Sequence, residues 1–137
     1  YAAVIPRFIQ SLLKHEAPQV HGDGGQTRDF THVGNAVEAV RAALNSADEQ
    51  AIGRVFNIAL GNSTSLLELL DGIRERLAVN DPAIGTIEAQ HLADRAGDVR
   101  ASMADITLAR QLIGFNPPVD LAKGLDRTVA WYAAHLG

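Results

Sequence analysis

At 137 residues, 47 % of them apolar, the chain has material for one domain around one modest core. A charged fraction of 20 % with a net charge of −4 excludes the composition of a disordered chain and leaves no broad basic field for unspecific nucleic-acid binding. Cysteine is absent, which excludes disulfides, cysteine-ligated zinc and thiol nucleophiles, and no apolar run approaches the ~20 residues that span a bilayer.

No basic segment followed by an apolar stretch opens the chain. With the lack of cysteine, this fits a cytoplasmic protein. The first residue is Tyr1 rather than Met, as expected of an expression product, a processed product or a fragment.

Ile5, Phe8, Ile9, Leu12 and Leu13 recur at the spacing of one helical face. Pro6 falls in the first turn, where its missing N–H costs nothing. Gln19-Val20 is a short extended piece before the tight turn His21 to Gln26 (HGDGGQ), marked by its glycines. Thr27 to Val33 (TRDFTHV) alternates and is rich in β-formers. It predicts a strand and, with the turn, a hairpin across which His21 and His32 would face each other. Asn35 predicts the cap of a helix carrying Val37, Val40 and Leu44 on one face. Arg54 to Ala59 (RVFNIA), ended by Gly61-Asn62, predicts a buried strand.

Ser65 to Glu68 fits an S-x-x-E capping box before the stripe Leu66, Leu69, Leu70, Ile73 and Leu77. Gly85 to Gln90 is a further strand pattern, and His91 to Ser102 is polar and without period, hence a loop. Asp105 predicts the cap of a short helix with Ile106, Ala109 and Ile113, stopped by Gly114. Asp120 predicts the cap of the last helix, with Leu121, Leu125, Val129, Tyr132 and Leu136 on one face. The expected fold class is α/β, a single small mixed unit of about five helices and three to four short strands over residues 1–137.

Among chemistry-bearing residues, Arg28 follows the glycine turn, and Arg95 and Arg100 flank Asp98. Guanidiniums converging on one cleft could hold a diphosphate bidentately, with the carboxylate accepting from ribose hydroxyls. Spacing alone favours a plainer arrangement, surface ion pairs such as Arg95–Asp98 and Arg28–Asp29. Gly22-Asp23-Gly24-Gly25 lacks the last glycine of G-x-G-x-x-G and precedes a strand pattern, so it is a turn and no dinucleotide fingerprint. There is no P-loop and no G-x-S-x-G. His15, His21, His32, His91 and His135 are scattered without metal-ligand spacing, so no metal site is expected. Trp131 and Tyr132 read as core or interface anchors. No catalytic residue is assigned.

Five segments in register resemble the C-terminal part of the extended short-chain dehydrogenase/reductase family, the NAD-dependent nucleotide-sugar epimerases and dehydratases. They are YAAVIPRFI, HGDGGQTRDFTHV, RVFNIALGNSTSLLEL, RAGDVRASMADITLARQLIGFNP and the last helix. ASMADI and the start of the GNAVEA helix give the flavour of UDP-glucose or UDP-N-acetylglucosamine 4-epimerases. The resemblance implies a UDP-sugar site. In it Arg28 and Arg95 hold the diphosphate and Asp98 the ribose hydroxyls. Ala3, Val4 and Phe8 surround the uracil, with His21 at its edge. Phe30 and Val55 line the cleft, and Ser102 leaves room for an N-acetyl group.

Ala96 departs from the family's proline and Gly34-Asn35 from its acidic pair. The family's glycine-rich NAD motif and its Tyr-x-x-x-Lys are not found in this segment. The resemblance therefore implies NAD in the full-length parent, none bound by this chain alone, and no turnover without an N-terminal Rossmann half. Apolar surface bared by that half's absence would favour a homodimer. Two other readings stay open: a stand-alone binding or assembly module without catalysis, and a piece of a dehydratase or reductase.

Overall fold

The structure, a computed structural model, describes residues 3–136. Tyr1 and Ala2, which begin the family-like opening segment, and Gly137 lie outside the described residues. Among the described residues five α-helices and four short strands occur in mixed α/β order, in keeping with the expected class.

Helix α1 (Val4–Leu13) buries Phe8, Ile9 and Leu12. Helix α3 (Leu66–Ala78) buries Leu69, Leu70, Ile73 and Leu77. Both pack with α5 (Leu121–Leu136), whose Leu125 and Val129 complete the main core together with Val20 and Ile84. Helical periodicity set these stripes, and burying them against one another is what stabilises helices of this length. The start of α3 is chemically specified. Ser65 Oγ accepts from the Glu68 amide at 3.2 Å, and the Glu68 carboxylate accepts from the Ser65 amide at 2.8 Å.

A second, smaller core joins α2 (Val33–Asn45) and α4 (Thr107–Ile113) through Ala39, Ala109, Ile113 and Phe115. Helix α4 stops at Gly114 in the left-handed region, φ +63°. Asp120 receives the Lys123 amide at 2.8 Å and caps α5 as expected, whereas Asp105, which receives the Thr107 amide at 2.9 Å, stands one residue before the cap position, which Ile106 occupies.

The strands depart from the sequence expectation. Strand β1 (Gln19–His21) pairs in parallel with β4 (Gln90–Leu92), Gln19 opposite Gln90 and His21 opposite Leu92. Strand β2 (Thr27–Arg28) pairs antiparallel with β3 (Thr64–Ser65), and Thr27 also bridges Ala101. The expected β1–β2 hairpin is absent, because each arm finds its partner far along the chain. His21 and His32 do not face each other. His21 Nδ1 donates to the Ala93 carbonyl at 3.0 Å, and His32 Nδ1 accepts the Gly34 amide at 3.0 Å. His32, not Asn35, therefore caps α2.

Asn35 is fully buried and clamps the chain before α5. Its Nδ2 donates to the Val119 carbonyl at 2.7 Å and its Oδ1 accepts the Val119 amide at 3.0 Å. Beyond Arg28 the expected strand gives way to irregular backbone, where the Asp29 carboxylate accepts the Leu60 and Gly61 amides at 3.0 and 2.9 Å. Residues 54–58 form no ladder among the described residues. Phe56 and Ile58 turn inward onto the second core, while Val55 is 89 % exposed, so the expected buried strand is extended backbone with one wet face. Of the strand expected over 85–90 only Gln90 pairs: Pro82–Thr86 form a 3₁₀ turn, with Asp81 accepting the Ala83 amide and Pro82 in its first turn, and β4 runs on through His91 and Leu92, which were expected in the loop. Among the described residues no helix is long and apolar enough to cross a membrane.

Candidate functional site

The pairing of β1 with β4 and of Thr27 with Ala101 carries residues 93–100 across the end of the main core. A cleft of about 470 Å³ opens there. Ala3 and the first turns of α1 form one wall with Val4, Arg7 and Phe8. Gln19, His21, Gln26, Arg28 and Leu66 form the floor, and Arg95 and Asp98 overhang the other side. The lining thus combines apolar side chains, Val4, Phe8 and Leu66, with the guanidiniums of Arg7, Arg28 and Arg95, the two chemistries that a base and a diphosphate require of a single groove.

Asp98 organises the polar end. Arg28 Nη2 reaches its Oδ1 at 2.5 Å, and Gln26 Nε2 approaches its Oδ2 at 3.3 Å while also donating to the His21 carbonyl at 2.9 Å. Arg28 Nη1 donates to the Thr27 and Val99 carbonyls at 2.7 and 2.6 Å. Much of the Arg28 fork is therefore engaged within the protein. The Arg95 and Arg7 side chains make no hydrogen bond or ion pair among the described residues, so theirs are the uncommitted positive charges of the cleft. Neither expected surface pair forms. Arg28 takes Asp98 rather than Asp29, and the partner left to Arg100 is Asp23, engaged bidentately at 2.6 and 2.9 Å. That guanidinium, with the Gly25 amide, holds the Asp23 carboxyl down to about 2.

Seven residues expected at a binding site meet here: Ala3, Val4, Phe8, His21, Arg28, Arg95 and Asp98. Three do not. Phe30 lines a separate cavity of about 290 Å³ with Ile5, His32 and Leu121, because irregular backbone after Arg28 turns it toward α5. Val55 faces solvent on the unpaired 54–58 segment. Ser102 is exposed, and its amide is spent on the Thr27 carbonyl at 3.1 Å. The cavity around Phe30 is mostly apolar and holds no Arg or Lys, which makes it a poor diphosphate receptor.

Arg7, Gln19, Gln26 and Leu66 complete the cleft and were not singled out in the sequence. Two of them carried a signal: Arg7 lies one turn after Val4 on α1, and Gln19 shares a strand face with His21. Among the described residues no group of three His, Asp or Glu side chains is placed to hold a metal ion. The glycine turn, for its part, lacks the strand-turn-helix setting of a dinucleotide fingerprint. The Gly22–Gly25 turn runs into β2 rather than a helix, and its Gly22 and Gly25 amides are taken by the Leu92 carbonyl and the Asp23 carboxylate.

The GDP-mannose 4,6 dehydratase family model matches residues 2–128. The UDP-glucose 4-epimerase of Mycolicibacterium smegmatis is 34 % identical over 131 residues, 96 % of this chain and 39 % of that protein. The dTDP-glucose 4,6-dehydratase of Streptomyces griseus is 36 % identical over 132 residues, 96 % of this chain and 38 % of that protein. Among solved structures, the UDP-N-acetylglucosamine 4-epimerase of Methanobrevibacter ruminantium, in complex with UDP-N-acetylmuramic acid, superposes with a TM-score of 0.85 at 34 % identity, over 99 % of this chain and 41 % of that one. The chain spans about two fifths of the length of the relatives it matches.

Proposed function

The chain belongs to the NAD-dependent nucleotide-sugar epimerase and dehydratase family, and on that footing we propose that its cleft grips the nucleoside diphosphate of a UDP-sugar for a 4-epimerase. One observation carries the reading. Residues from five separated segments, 3–8, 19–21, 26–28, 66 and 95–98, converge on a single groove that combines apolar side chains with the uncommitted guanidiniums of Arg7 and Arg95. Ala3, Val4 and Phe8 pack on the uracil, and His21 borders it. Arg95 and the remaining donors of Arg28 take the diphosphate, and Asp98 accepts from the ribose hydroxyls. The sugar is a UDP-hexose or a UDP-N-acetylhexosamine.

The chemistry NAD would supply, bound to the whole protein, is hydride acceptance and return. This chain's residues hold the nucleotide and so orient the sugar carbon, a contribution of proximity rather than of proton transfer. The chain alone is expected to have no turnover. Calorimetric titration with UDP tests the binding claim: saturable binding that weakens in Arg95→Ala supports it, and no heat with a folded chain overturns it. Interconversion of UDP-sugars by this chain with added NAD would overturn the assignment of catalysis to another part of the protein.

A second reading, an assembly role, is favoured by α2. Val33, Val37, Val40 and Leu44 lie on one stripe of that helix and are between 61 and 82 % exposed. An apolar stripe on a helix seeks cover. The proposed occupant is the N-terminal Rossmann portion that the family resemblance implies for the parent protein. Without that portion the same face drives homodimerisation, and a monomer in sedimentation equilibrium at micromolar concentration would exclude it.

A further inference from the structure

The segment 93–100 carries both Arg95 and Asp98, yet it has no helix or strand of its own to keep it in place. Its middle is held by Arg28, through the Val99 carbonyl and Asp98, and by Gln26, and its two ends are tied to the glycine turn and its flanks. At one end the Ala93 carbonyl accepts from His21 Nδ1 at 3.0 Å. At the other the Arg100 guanidinium grips Asp23 with both forks, at 2.6 and 2.9 Å, while the Arg100 carbonyl accepts the Thr27 amide at 2.9 Å. Two local features prepare this grip. The Asp23 carboxylate also accepts the Gly25 amide at 2.8 Å, which fixes its direction before Arg100 arrives. Gly25 leaves the guanidinium room to lie across the turn, since a Cβ there would stand 2.7 Å from Arg100 Nη2.

We infer that Asp23 and Arg100 form a latch, two positioning residues that hold the 93–100 segment against the glycine turn so that Arg95 and Asp98 are pre-set over the cleft. The consequence for binding rests on the reading of the cleft as a nucleotide site. The latch itself does not. Both side chains are about two-thirds exposed, at 65 and 68 %, and an exposed ion pair adds little to global stability. Its effect is therefore local: it lowers the ordering cost that a ligand would otherwise meet on closing a loose segment. The low pKa of Asp23 agrees with a carboxylate that stays charged and latched.

The test uses Asp23→Asn, Arg100→Gln and the double variant, with two readouts. The first needs no ligand: the rate at which trypsin cuts the Arg95–Ala96 bond, mapped by mass spectrometry. The second is the Kd for UDP. Each single variant is expected to be cut faster and to bind UDP roughly three- to tenfold more weakly, with the melting temperature unchanged. The double variant is expected to be no worse than either single, because one contact is lost in all three. Cleavage at the wild-type rate in both single variants overturns the latch, as does an additive loss in the double. Faster cleavage in a protein whose wild type binds no UDP keeps the latch and overturns the nucleotide reading.

Discussion

Arg28 and Arg95 share a cleft but not an environment, and replacing each by alanine should separate them. Arg28 donates to the Thr27 and Val99 carbonyls and to Asp98. A neutral hydrogen bond contributes ~0.5–1.5 kcal/mol, and the partly exposed ion pair is discounted toward the same range. Arg28→Ala should thus cost about 2 kcal/mol of stability, a fall of roughly 6–10 °C in Tm for a chain of this size. Arg95 gives up no hydrogen bond among the described residues, so Arg95→Ala should leave stability within ~0.5 kcal/mol of wild type. On a bound diphosphate, however, Arg95 has its whole fork to offer. Losing charge-assisted bonds of ~1.5–3 kcal/mol weakens UDP binding by roughly 10- to 150-fold. Scanning calorimetry paired with isothermal titration measures both quantities. An Arg95→Ala variant that binds UDP like wild type, or that melts as early as Arg28→Ala, refutes this division of labour.

Asn35→Ala strands both the amide and the carbonyl of Val119 in a buried site, for an expected loss of about 2–4 kcal/mol by urea denaturation. Ser65→Ala removes one half of the capping box and should cost ~1 kcal/mol in the same assay. Val37→Lys with Val40→Lys places charges on the bared stripe of α2 and should shift sedimentation toward monomer without lowering Tm; an unchanged association constant would place the contact elsewhere. Asp23, held at about 2 against an ordinary 3.8, binds its proton less readily folded than unfolded, so its stabilisation is whole above pH 4 and fades as pH falls toward 2. The exposed pair leaves Tm the same in wild type and Asp23→Asn, so the readout is local: the difference between them in UDP Kd should shrink across that window.

Local chemistry is what the sequence settled unaided. The stripes on α1 and α3, the Ser65–Glu68 capping box, the Gly114 stop and the Asp120 cap depend on neighbours within a turn or two, and each forms as read, while Leu136 of the α5 stripe stays half exposed and Asp105 stands one residue before the α4 cap. The family, too, was legible in segments, since motif order survives without coordinates. Only the tertiary structure decided where the strands pair and whom the arginines meet. Two- and three-residue strands carry too little pattern to name a partner some 40 or 70 residues away, so Thr27 found Ser65 and Gln19 found Gln90 where a hairpin was expected. The same long-range docking delivered Asp98 to Arg28 and Asp23 to Arg100 over separations of 70 and 77 residues. Charge attracts charge through space. The chain's numbering, which suggested Arg95–Asp98 and Arg28–Asp29, measures only contour length.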